Sequence, residues 1–237
     1  MIARVAVVPH PPLLVPELVS GAAAETESLR AACLAVAAEL AGSASNWVAV
    51  ATDLTGPTAH GPESGGTFRG FGVDVRVSLS DTSTSVDPAL PLPVLVAGWL
   101  RERAGADSVR AHVVPPALPV TDCAALGARL ARELDGPDPV GLLVLGDGSR
   151  RHGEHSVGRP DERSGPFDES VRKALATADP DALLALDPGL AAELGADGRA
   201  AWQVLGGVGG RWRCSRSEFV APYGVGYHLA LWDADPS

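Results

Sequence analysis

The chain is short of cysteine, of basic side chains, of aromatics and of long apolar runs, and each shortage closes off a class of function. Its three cysteines, Cys33, Cys123 and Cys214, are widely spaced and odd in number, which argues against a disulfide framework and against CxxC-type zinc ligation. Nineteen Lys and Arg stand against 29 Asp and Glu, a formal net charge of −10, and the two signs are interspersed. With no basic stripe to neutralise phosphates, nucleic acid is not an expected partner. No stretch reaches the ~18 uninterrupted apolar residues of a membrane span. The first residues also lack the basic, apolar, then small-residue order of a signal peptide. A soluble, cytoplasmic protein with no membrane partner is the expectation.

What is present is an alternation of strand-like and helix-like segments. At 237 residues with 46% hydrophobic side chains, the chain can bury a sizeable core, and no internal repeat or composition shift marks a linker. Ile2 to Val8 reads as a buried strand, and Ala22 to Ala41 as a helix stopped by Gly42. Trp47–Ala51, Val73–Leu79, Val109–Val114 and Val140–Leu145 read as further strands, the last central because it is the most apolar. Helical patterns fill Val94–Arg103, the stretch after Thr121 and Asp122 with Leu126, Leu130 and Leu134, and the segment marked by Phe167, Val171 and Leu175. Asp179-Pro180 and Asp187-Pro188 announce short helices by placing a capping carboxylate before a proline, and Asp197 is placed to cap a third. Residues 53 to 72 read as a long loop, and Glu218 to Trp232 as a closing strand pair. The expected fold class is therefore α/β: a single domain over 1–237 with a central mixed, largely parallel β-sheet flanked by helices.

In such sheets ligands bind beyond the carboxyl ends of the strands, and this rule selects residues. His10 follows the first strand, on the stiff turn Pro9-His10-Pro11-Pro12, where two neighbouring prolines leave the imidazole little backbone freedom. Asp53 and the loop bearing His60 follow the second strand. Gly146-Asp147-Gly148-Ser149 follows the central strand and leads into Arg150, Arg151, His152 and His155, a concentration of donors suited to an anionic ligand. Cys33 shares a helical stripe with Leu29, Val36 and Leu40 and reads as a core residue, and His228 in the last strand reads as structural.

The Pro-His-Pro-Pro turn, the Gly146-Asp147-Gly148-Ser149 loop, Gly165-Pro166-Phe167-Asp168 and the closing Pro222-Tyr223-Gly224-Val225-Gly226-Tyr227 occur in an order that resembles the subunit-B type of class III extradiol ring-cleavage dioxygenases, in the branch similar to Memo proteins. The resemblance implies an Fe(II) site, with Zn2+ as the alternative metal, built from two His and one carboxylate that bind a small catechol-type aromatic substrate together with O2. It implies His10 as the first metal ligand, Asp53 or His60 as the second and Glu193 as the carboxylate. Assembly into a homo-oligomer is a further implication. Where the family carries its acid/base His after the Gly-Asp-x-Ser segment, this sequence has Arg150, which cannot accept a proton. The acid/base role would then pass to His152 or His155. The rival expectation is a Memo-like protein that keeps the groove and binds a metal or ligand without turnover.

Overall fold

The computed structural model describes residues 1–19 and 24–235. Its strands are β1 (Ile2–Val8), β2 (Asn46–Thr52), β3 (Thr58–His60), β4 (Gly65–Thr67), β5 (Arg76–Ser78), β6 (Ser108–Val114), β7 (Val140–Leu145), β8 (Trp212–Val220) and β9 (Tyr227–Ala234). Its helices are α1 (Ala24–Ala41), α2 (Leu92–Ala104), α3 (Val120–Glu133), α4 (Ser164–Ala176), α5 (Pro180–Leu184), α6 (Pro188–Leu194) and α7 (Arg199–Val208). The expected helix start at Ala22 and Ala23 lies outside the described residues.

Seven strands form one sheet in the order β3-β6-β2-β7-β1-β9-β8, and β4 pairs with β5 beside it. β6, β2, β7 and β1 run parallel to one another, while β3, β9 and β8 join antiparallel. The sheet is thus mixed with a parallel centre, and β7 lies in the middle, as its apolar sequence anticipates.

Side-chain alternation along the central strands feeds two cores. Ala6, Val8, Trp47, Ala49, Leu143 and Leu145 pack on the face covered by α1 and α2, with Leu29, Cys33, Val36, Leu40 and Trp99. Val5, Val7, Val48, Val50, Leu142 and Val144 pack on the face covered by α3 to α7, with Leu130, Val171 and Trp202. The two-residue period of a strand is what sends neighbours to opposite layers. Among the described residues no helix is long and apolar enough to cross a membrane.

Local signals hold unevenly. Asp179 and Asp187 cap α5 and α6, accepting from the backbone N–H groups of Ala182 and of Gly189 and Leu190. Asp197 does not cap α7, whose N-terminal flank is Gly198, and α3 begins after Pro119 with no side-chain cap from Thr121 or Asp122. Residues 53 to 72, expected as unstructured loop, include β3 and β4. Three-residue strands bounded by Gly and Pro leave no measurable period, so pairing decides them.

Candidate functional site

The proline-rich turn after β1 is held from both sides. Arg30 of α1 is buried, and its guanidinium donates to the Leu14 carbonyl at 2.7 Å and the Leu13 carbonyl at 3.2 Å. On the other side the His10 backbone N–H donates to Asp147 Oδ1 at 2.9 Å. The carboxylate thereby locks the turn after β1 to the turn after β7. The His10 ring is nine-tenths buried; its Nδ1 lies 3.9 Å from Asp147 Oδ1 and has no hydrogen-bond partner among the described residues.

A pocket of about 390 Å³ opens there, at the carboxyl ends of β1, β2 and β7. Its polar lining includes His10, Asp53, Asp147, Arg150, Asp197 and Tyr227, and Leu54, Val157 and prolines 11, 12 and 116 supply apolar lining. Asp53 is oriented by its own turn, since Oδ1 accepts the Thr55 N–H at 2.9 Å and the Thr55 hydroxyl at 2.7 Å. The aliphatic stem of Arg150 lies on Gly195, where a Cβ would fall 2.3 Å from Arg150 Nε. Gly195 also closes α6 in the left-handed region, at φ 63°, so a side chain is disfavoured there on two counts. The Arg150 guanidinium forms no ion pair or hydrogen bond among the described residues. Desolvation lifts the Asp197 carboxyl above the usual range; Arg150 opposes the rise and Asp147 adds to it. Burial likewise raises the Tyr227 phenol, with Asp147 contributing.

Behind the same loop lies a second polar cluster, centred on a carboxylate with no exposure. The Asp168 carboxylate of α4 accepts His152 Nε2 at 2.6 Å, His228 Nε2 at 2.9 Å and the Ser149 N–H at 3.1 Å. It is wedged between two glycine backbones: a Cβ on Gly148 or Gly226 would come within 2.4 or 2.5 Å of its oxygens. Burial pushes this carboxyl up, yet the hydrogen bonds from His152 and His228 outweigh it and hold the group below its ordinary range.

Against this geometry the expected site separates into parts. His10 and Asp53 line the pocket. His60 is in β3 at the sheet's edge, its Nε2 3.1 Å from the Thr58 hydroxyl, and is not part of the lining. Glu193 faces outward from α6 and pairs with Arg163 at 2.7 Å. The combination of His10, His60 and Glu193 therefore does not form, because a strand edge and a helix surface carry the last two away. His152 turns to Asp168 instead of the pocket, and His155 is exposed on the loop. Among the described residues no group of three His, Cys, Asp or Glu side chains is placed to hold a metal ion. The donor set does not fit the implied Fe(II) or Zn2+ centre, and Arg150 adds a fixed positive charge to the same lining.

Three contributors escaped strand-end reasoning. Asp197 and Tyr227 arrive from the loop before α7 and from an antiparallel strand, and Asp168 from a helix. The paired glycines at 146 and 148 and at 224 and 226 were the available signal for close backbone approach.

Fold and site together define an α/β protein with both sheet faces covered and a polar pocket at the carboxyl edge of its parallel strands. No protein-family model and no curated protein matches the chain. Among solved structures, the uncharacterized protein JW3007 from Escherichia coli K12 aligns over 97% of this chain and 99% of that one, at 13% identity and a TM-score of 0.49.

Proposed function

We propose that the pocket binds a small catechol-type aromatic as its monoanion, on a scaffold resembling that of extradiol enzymes, without metal-dependent ring cleavage. The observation that carries this reading is the Arg150 guanidinium, unpaired among the described residues and in the same lining as His10 and Asp147. A guanidinium stays protonated and stabilises an anion beside it, but it cannot take up a proton from a substrate. The Asp147 carboxylate accepts from a ring hydroxyl, and the buried His10 Nδ1 offers a second polar contact. Three carboxylates around one Arg disfavour a dianion.

The test is calorimetric titration of chelator-treated protein with catechol under anaerobic conditions. Binding that persists without metal and is lost in Arg150→Gln supports the reading; binding that requires Fe(II) overturns it. A second reading, the Fe(II)-dependent dioxygenase itself, has the unpartnered His10 Nδ1 in its favour and against it a lining whose donors, among the described residues, are not grouped to hold a metal. Oxygen uptake with catechols that depends on both Fe(II) and His10 would establish it.

A further inference from the structure

Leu54 and Val157 are among the most exposed large apolar side chains of the molecule, at 89% and 59%, and both line this pocket. They come from different loops, one after β2 and one after β7. Neither is carried on slack backbone. Leu54 sits on the turn that Asp53 closes through Thr55, and the Gly56 N–H donates to the Asp53 carbonyl at 3.1 Å. Gly56 itself is pressed against β6, since a Cβ there would meet the Val114 carbonyl carbon at 2.7 Å. The Val157 N–H donates to the Arg150 carbonyl at 2.9 Å, which ties this side chain to the backbone of the residue that carries the anion-binding group.

A leucine left almost wholly in water on a pinned turn finds no cover among the described residues. Exposed single aliphatics are ordinary on protein surfaces, but two from separate loops on one pocket mouth, above a polar floor, form the amphipathic lining of a ligand site. A cavity of about 390 Å³ is near the small end of ligand pockets, roughly 300–1,000 Å³, which suits one ring plus a short substituent.

We propose that Leu54 and Val157 are specificity-determining residues that clamp an apolar substituent at the pocket mouth, so that the site selects an alkyl- or aryl-substituted catechol-type ring over the bare or polar-substituted one. This rests on the reading of the pocket as a catechol-binding site. In that arrangement the ring's polar edge faces His10, Asp147 and Arg150, and its apolar edge lies between the two aliphatic side chains.

The experiment compares catechol with 4-propylcatechol by anaerobic calorimetry in chelator, for the unaltered chain, the Leu54→Ser/Val157→Ser double variant and Arg150→Gln. Both serine substitutions fall on exposed positions, and an unchanged melting temperature verifies the fold. The unaltered chain should bind 4-propylcatechol about tenfold more tightly than catechol, the gain from burying roughly two methylene groups. The double variant should lose that gain, so that its affinities for the two ligands become equal within about twofold. Equal loss of both ligands in Arg150→Gln, together with an undiminished propyl preference in the double variant, overturns the clamp and leaves the pocket reading intact. Failure of both catechols to bind the unaltered chain overturns both proposals. A dimer that the double variant dissociates also overturns the clamp, by showing that a second copy covers these side chains.

Discussion

Two polar clusters sit on either side of one loop, and they are built on opposite rules. Around Asp168 the donors match the acceptor: two imidazoles and one backbone N–H converge on a carboxylate with no exposure, and only the other ring nitrogen of His228, Nδ1, is left without a partner among the described residues. Around the pocket they do not match, since among the described residues the Arg150 guanidinium has no hydrogen bond or ion pair and His10 Nδ1 has no hydrogen-bond partner, and Asp197 is raised above its ordinary range although Arg150 opposes the rise. A buried charge is tolerated only when its hydrogen bonds are complete, so the first cluster is what holds the loop. Unsatisfied groups that also line a pocket are the ones a ligand can complete. The difference teaches that His152 is tied into the Asp168 knot, and that among the described residues the less conspicuous Arg150 is the group left open.

The strongest way to break this contrast is Asp168→Asn, which keeps the shape and removes the anion. Placing an amide between two imidazole N–H donors should cost about 3–5 kcal/mol, the scale of a broken buried charge network, read as a large drop in melting temperature. The same knot predicts a pH profile. Because the folded carboxyl is held below its unfolded value of about 3.9, its contribution is fully present above that pH and is lost as pH falls through the depressed folded value. Stability of the unaltered chain should therefore drop more steeply below about pH 4 than that of the Asn variant, measured by denaturant midpoints across pH.

Gly195→Ala should fall between the two clusters. A Cβ in the left-handed region costs about 1–2 kcal/mol, and it would push the Arg150 stem off its seat. Moderate destabilisation together with weaker catechol binding is expected; unchanged binding would show that the position of Arg150 does not matter. Arg150→Gln should leave stability within about 0.5 kcal/mol, as for most surface changes, while abolishing catechol binding. The smallest effect belongs to Asp197→Asn. Its carboxyl is raised in the folded protein, so ionisation opposes folding as pH rises from about 3.9 through the folded value. The Asn variant should be slightly more stable than the unaltered chain at neutral pH and should lose that advantage in acid.

Much of the scaffold was legible in the residues themselves. Apolar runs in β1 and β7, set between helical patterns, announced a largely parallel sheet flanked by helices, and the capping aspartates at 179 and 187 marked helix starts that formed. The stiff turn placed His10 at a strand end, where the pocket is. Illegible were the contacts that depend on distant partners. His60 was expected in a loop and is instead in an edge strand fixed by antiparallel pairing with β6. Glu193 met Arg163, thirty residues away in sequence.

His152 shows the limit most clearly. Its local neighbourhood, two imidazoles and two arginines within six residues, reads as an anion-binding loop, to which the family resemblance adds an expected acid/base role. Its partner Asp168 lies 16 residues on, and the third member, His228, lies 60 residues beyond Asp168. By itself the sequence determined the periods, the turns and the strand ends at which polar residues would gather, because these follow from backbone geometry and burial within a few residues. Which of those polar groups satisfy one another, and which are left open to a ligand, was decided only by the tertiary structure, because hydrogen bonds and desolvation act between atoms that the chain brings together from far apart.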